Sequence, residues 1–125
     1  MSKIKTSSCK AKGRRLQTWV AEQISNLTNI PCGKDEDIES RPMGQTGPDI
    51  RISEKVRKLF NFTVECQNSE NWTIPKKIKQ CQTFMYPGTD WLVIVSKNRG
   101  NPIAILDAEV FFRLLKERPV RRLCR

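Results

Sequence analysis

Asp49 and Glu65 stand sixteen residues apart, each inside a stretch that alternates apolar and polar residues. In Pro48–Ser53, Ile50 and Ile52 point one way and Asp49 and Arg51 the other. In residues 61–67, Phe62, Val64 and Cys66 share one face, and Thr63, Glu65 and Gln67 the opposite one. Two neighbouring strands of this kind bring both carboxylates to one face, where they repel unless a cation lies between them. A hard divalent ion bound by oxygen, Mg²⁺ or Mn²⁺, relieves that repulsion, with the carbonyl of Cys66 as a further ligand. Gln67, two residues after Glu65, points into the same place and can orient a water or a phosphate oxygen. An acid after proline is also an ordinary turn residue, and an acid on a half-exposed strand is ordinarily just solvated. The combination, rather than either residue, marks a site.

The rest of the composition narrows the chemistry. The chain has no histidine. That excludes Ser-His-Asp and Cys-His catalysis and Cys2His2 zinc sites, so any hydrolysis runs on carboxylates, amides, lysines and an oxygen-bound metal. Five cysteines (9, 32, 66, 81 and 124) form no CxxC pair, which suits free thiols in a reducing cytoplasm better than a disulfide framework. The net charge of +10 suggests a polyanionic partner, most simply nucleic acid. It is concentrated at the ends: Lys3, Lys5, Lys10, Lys12, Arg14 and Arg15 precede any acid, and Arg118, Arg121, Arg122 and Arg125 close the chain. Phosphate contacts are one reading of these termini, and solvated, frayed ends the other. At 125 residues and 38% hydrophobic content, one globular domain spanning 1–125 is expected. The longest apolar run, Trp91–Val95, is far short of a membrane span, and no apolar signal region follows the basic start.

The elements that must hold the acids can be laid out in order. Residues 1–12 read as a basic arm. Leu16, Trp19, Val20, Ile24 and Leu27 recur at helical spacing from Gly13 to about Asn29, and Ile30–Gly33 stops that helix. Residues 34–47 read as a polar loop. After the Asp49 strand, Ser53 is placed to cap a short helix through Phe60. The Glu65 strand follows, then a helix opened by Thr73 and Pro75 with Ile74, Ile78, Cys81 and Met85 on one stripe. Trp91–Ser96 reads as a strand buried on both faces, paired as a hairpin with Pro102–Leu106. Asp107 caps a last helix with Val110, Phe111, Leu114 and Leu115 inward. The fold class is α/β: a small mixed β-sheet flanked by helices, in the order α-β-β-α-β-β-α once the short helix is set aside.

Gly47-Pro48-Asp49 followed by Val64-Glu65-Cys66-Gln67-Asn68 resembles the PD-(D/E)xK nucleases, and most of all their small phage-type enzymes and archaeal Holliday-junction resolvases. The likeness extends over roughly residues 12–115 and implies a restriction-endonuclease-like fold. It also implies Mg²⁺ on Asp49, Glu65 and the Cys66 carbonyl, and metal-dependent hydrolysis of a DNA phosphodiester. Branched DNA, a role in recombination, a homodimer through Phe111, Phe112 and Leu115, and a bacterial or phage-infected cell are further implications. Two positions depart from the pattern. The family's lysine position is Gln67, a replacement some restriction enzymes of the superfamily share. Where relatives carry a glutamate four residues after a glycine on the first helix, Gly13 is followed by Gln17, with Glu22 further along. Gln17 then touches a metal-bound water, Arg41 reaches the scissile phosphate, and the Gly44–Gly47 loop lets a DNA backbone approach. Gln80 rather than Gln82 is the helix glutamine near the site, Lys97 brings positive charge from the side, and Trp72 stacks or seals its helix. Arg14 and Arg15 contact duplex phosphates. The alternative is a catalytically inactive DNA-binding module on the same fold.

Overall fold

The computed structural model describes residues 2–42 and 45–118, with side chains from Lys12 onward. Met43, Gly44 of the Gly44–Gly47 loop, and the tail residues 119–125 with Arg121, Arg122, Arg125 and Cys124 lie outside the described residues, as does the side chain of Cys9.

Helix α1 runs from Ser2 to Thr28, so the stretch expected to be an arm is helical. The reason is propagation. Leu16, Val20, Ala21 and Ile24 bury one face of the helix, and residues 2–12 contain neither proline nor glycine to stop it. Gly13 costs about 1 kcal/mol inside a helix, too little to end one already packed. The helix closes at Asn29, whose φ of 60° is the left-handed conformation asparagine tolerates. Trp19 and Leu27, expected inward, are exposed, because α1 turns Gln17, Ala21 and Thr28 to the interior instead.

Strand β1 (Ile38–Ser40) pairs antiparallel with β2 (Ile50–Ile52), Ile38 opposite Ile52 and Ser40 opposite Ile50. β1 lies within the stretch read as a loop, since three residues with one apolar side chain carry no periodicity. The single-turn helix α2 (Glu54–Arg57) follows and stops short of Phe60. The Ser53 hydroxyl makes no capping bond there and is buried without a partner. Strand β3 (Phe62–Asn68) pairs parallel with β4 (Asp90–Ser96), and β4 antiparallel with β5 (Ile103–Leu106), which confirms the hairpin. Helix α3 (Ile74–Thr83) is the crossover from β3 to β4, and α4 (Ala108–Glu117) ends the described chain. The Asp107 carboxylate accepts the Glu109 N–H at 2.8 Å and caps α4 as expected. Val110 is buried in α4, whereas Phe111 and Leu115, expected inward, are exposed. Met85 lies beyond the end of α3, not on its stripe.

The architecture is mixed α/β, with four helices and two small sheets, of two and three strands, among the described residues. One mixed sheet was expected, but β2 forms its ladder with β1 rather than β3. The core is the layer between α1 and both sheets: Leu16, Val20 and Ile24 against Ile38, Ile50, Ile52, Val64 and Ile94. β3 is the edge strand of the larger sheet, on the side of β2, with Phe62, Val64 and Cys66 in that core and Thr63, Glu65 and Gln67 turned toward α3.

Candidate functional site

The two sheets meet at β2 and β3, and there side chains take over the work of a ladder. The Asp49 N–H donates to Glu65 Oε2 at 3.3 Å, and the Cys66 N–H donates to Asp49 Oδ2 at 2.7 Å. The acids expected to share a face are thus brought together, by reciprocal side-chain-to-backbone bonds across a seam. Asp49 is fixed from behind as well, its carbonyl accepting the Arg41 N–H at 2.7 Å. Glu65 is fully buried, and its other carboxyl oxygen, Oε1, has no hydrogen-bond partner.

A carboxylate in that position is held above its ordinary range. Burial first, and then the neighbouring Asp49 charge, push the Glu65 pKa up to about 8, with Lys77 of α3 acting against both. Burial likewise raises Asp49, against the Cys66 N–H bond and the positive charges of Lys77 and Arg41. A shared proton or a bound cation resolves such a pair. Glu65 Oε1, buried and unpartnered, is an acceptor that a hard cation would satisfy. Among the described residues no three histidine, cysteine, aspartate or glutamate side chains cluster as metal ligands. Two carboxylates completed by backbone and water oxygens are the donor set Mg²⁺ ordinarily takes, so the residues fit that ion. The Cys66 thiol is no ligand: it lies in the core on the α1 side, its pKa pushed well up by burial.

Around the acids, the predicted residues divide. Gln67 stands at the edge of the site, but its amide is turned onto α3. Its Oε1 accepts the Thr73 N–H at 3.0 Å, and its Nε2 donates to Thr73 Oγ1 at 3.1 Å. Thr73 makes no capping bond of its own, so Gln67 caps α3 from the neighbouring strand. Gln17 is buried and its Oε1 accepts from Ser40 Oγ at 3.0 Å, tying α1 to β1 beside Asp49 rather than touching either acid. Arg41 donates from Nε to the Pro48 carbonyl at 2.7 Å, and its guanidinium covers Gly47. Gly47 has φ 122°, and a Cβ there would stand 2.9 Å from Arg41 Cζ, so glycine is what lets the arginine lie against the turn.

Arg14 and Arg15 project from the exposed face of α1, and Gln80 is half-buried on α3. Lys97 follows β4 with its Nζ 5.4 Å from the Trp72 ring centre, while Trp72 donates from Nε1 to the Ser96 carbonyl at 3.1 Å. Trp72 therefore seals the end of β4 as it carries the lysine. Glu22 is exposed on α1, and Lys97 is held over the Trp72 ring rather than at the acids. Lys77, which no motif pointed to, is the residue sequence reasoning missed. It reads as one of several lysines on a helix until its register against β3 is known.

No protein-family model matches the chain, and no curated protein or solved structure matches it either. No helix among the described residues is long and apolar enough to cross a membrane.

Proposed function

We propose that this chain is a metal-dependent DNA endonuclease with the restriction-endonuclease-like arrangement of helix, acid-bearing strands and crossover helix. The observation that carries the proposal is the seam: Glu65, fully buried with an unpartnered carboxyl oxygen, locked to Asp49. A core that only needed packing would gain from an apolar residue there, because burying a carboxyl group with an unsatisfied oxygen costs free energy even when it is protonated. The basic charge, +10 overall, supplies the attraction for a phosphodiester backbone.

Asp49 and Glu65, with the Cys66 carbonyl, would hold Mg²⁺ or Mn²⁺. When bound, that ion neutralises phosphate charge and makes water a better nucleophile at neutral pH. The chain's own residues do the rest. The Cys66 N–H fixes Asp49 Oδ2, and the Asp49 N–H fixes Glu65 Oε2, so both carboxylates are set before substrate arrives. Arg41 at the rim meets the phosphate, and Arg14, Arg15 and Lys97 contact the flanking backbone. Water adds to phosphorus, the bond to the departing deoxyribose oxygen breaks, and the water's proton reaches that oxygen through solvent. Branched DNA needs two cuts and hence two sites, so the working form is a homodimer, for which exposed Phe111, Phe112 and Leu115 on α4 are the contact.

One observation favours a second reading. Gln67, uncharged and committed to Thr73, leaves the motif's lysine position without a cation, as a DNA-binding module with no catalysis would. The test is cleavage of labelled four-way junction, flap and linear duplex in Mg²⁺, Mn²⁺ or EDTA, beside Glu65→Ala. Metal-dependent cutting lost in the variant supports the nuclease. DNA shifted but uncut in every metal supports the module.

A further inference from the structure

The acid pair needs a positive charge that Gln67 does not provide, and the packing of α3 on β3 puts one there. Two fixed points set the register. At one end Gln67 is bonded to Thr73; at the other, Cys81 Sγ donates to the Thr63 carbonyl at 3.1 Å. Helix and strand therefore run antiparallel. Thr73, Lys77 and Cys81 follow one another at four-residue intervals and share a helix face. Four helical residues advance about 6 Å and two strand residues about 6.7 Å, so the two rows stay in step. Lys77, midway between Thr73 and Cys81, lies over Glu65, midway between Gln67 and Thr63. It is half-buried, and among the described residues it forms no ion pair.

We propose that Lys77 is the cation of this site: it faces the Asp49–Glu65 pair from α3 and contacts the phosphate that binds there, in place of the lysine absent from position 67. This rests on the nuclease reading. Its charge is felt at both carboxylates. The other basic candidates reach less far. Arg41 is bonded to the Pro48 carbonyl, and Lys97 lies over Trp72. The same arrangement explains the capping by Gln67. Holding the first turn of α3 against β3 fixes the height of Lys77 over Glu65, so the residue at the motif's lysine position would act by positioning another lysine.

The test compares Lys77→Met and Lys77→Arg with the parent protein by two readouts. In single-turnover cleavage with saturating protein, Lys77→Met should lose about 10²-fold or more while DNA affinity stays within about threefold, and Lys77→Arg should stay within about tenfold of the parent. In Mn²⁺ binding to the protein alone, followed by electron paramagnetic resonance, Lys77→Met should bind at least about fivefold tighter, because a like charge has left the site. A parent that cuts DNA with Lys77→Met cutting equally well overturns the role of Lys77 and leaves the nuclease standing. A parent that cuts nothing, yet binds Mn²⁺ less tightly than Lys77→Met, sinks the nuclease and keeps Lys77 at the acids. Equal Mn²⁺ affinity in parent and variant, or no binding in either, places Lys77 away from the pair and overturns the proposal.

Discussion

The two faces of β3 are built from the same seven residues and obey opposite rules. Toward α1, Phe62, Val64 and Cys66 are buried among aliphatic neighbours, and only Asn68, at the strand's end, brings polar atoms: its Nδ2 donates to the Lys12 carbonyl at 3.2 Å and its Oδ1 is buried without a partner. Toward α3, Thr63, Glu65 and Gln67 are placed just as deliberately, but each is held by hydrogen bonds. Thr63 Oγ1 pairs with Thr89 Oγ1 at 2.7 Å and accepts the Tyr86 N–H at 3.0 Å. Glu65 takes the Asp49 N–H, and Gln67 takes the Thr73 N–H. One face is satisfied by volume and the other by bonding. Glu65 Oε1 is the place where the bonding face is left incomplete. Stability requires both faces, yet only on the α3 side is the unpartnered oxygen part of an ionisable group set beside a second acid.

Moving an acid one residue along the strand is the harshest test of that contrast. Val64→Glu places a carboxylate in the apolar layer against α1, with no backbone N–H aimed at it. Its cost should be about 4 kcal/mol or more, enough to unfold a domain of ordinary stability. Far-ultraviolet circular dichroism and urea titration of the variant check this. A folded Val64→Glu protein would mean that the two faces are not distinct.

A milder change needs no mutation. The folded state holds a proton on Glu65 up to about pH 8, whereas the unfolded chain releases it near 4.5. Between those values the native protein binds more protons than the unfolded one, so stability falls as pH rises. Below about 4.5 both states are protonated, and above about 8 both are ionised, so the slope is confined to that window. Asp49, also raised, acts in the same direction. Allowing for relaxation around the buried group, the loss between pH 5 and pH 8 in EDTA should be about 2–4 kcal/mol, measured by urea denaturation. Glu65→Gln should flatten most of it, and, if the acids hold Mg²⁺ as proposed, adding Mg²⁺ should reverse it at pH 8.

The third test lies at the rim. Gly47→Ala sets a Cβ 2.9 Å from Arg41 Cζ and forces alanine into φ 122°. The backbone conformation should cost about 1–2 kcal/mol, and the guanidinium, a flexible end, should swing away. If Arg41 meets the phosphate, cleavage should fall about tenfold more than the lost stability explains. Thermal melting and single-turnover rates together separate the two.

These contrasts were unevenly legible in the sequence. The alternation over 61–67 disclosed both faces of β3, because period two survives whether the opposite face meets water or a helix. Asp107 announced α4 through a cap that works locally, and the apolar run at 91–96 announced a buried strand. What failed was whatever depends on a partner distant in sequence. β1 is three residues long and exists because β2 pairs with it. Trp19, Leu27, Phe111 and Leu115 are apolar at helical spacing yet exposed, because the helix's neighbours, not its pattern, choose which side is covered. Asp49 and Glu65 were found because their types and flanks carry chemistry. Lys77 was not, because its place opposite Glu65 is a product of how α3 docks, through Cys81 at one end and Gln67 at the other.

Gln67 is where the two readings of the strand differ by the smallest measurable amount. Its position in the motif predicts an amide that orients water, whereas its bonds make it the cap of α3. The two roles respond differently to two substitutions. Gln67→Leu removes the acceptor for the Thr73 N–H and should cost about 1 kcal/mol, the ordinary worth of a helix cap. Gln67→Glu keeps that acceptor and sets a negative charge at a helix N-terminus, so stability should stay within about 0.5 kcal/mol of the parent. For a fastening residue, cleavage by Gln67→Leu should fall less than about tenfold, since Cys81 still anchors the far end of α3. For a water-orienting amide, both variants should lose about 10²-fold with no matching change in stability. Urea titration and single-turnover rates on the same two proteins decide between them. Loss of rate in Gln67→Glu at unchanged stability would return the side chain to the reacting centre and leave α3 held by Cys81 alone.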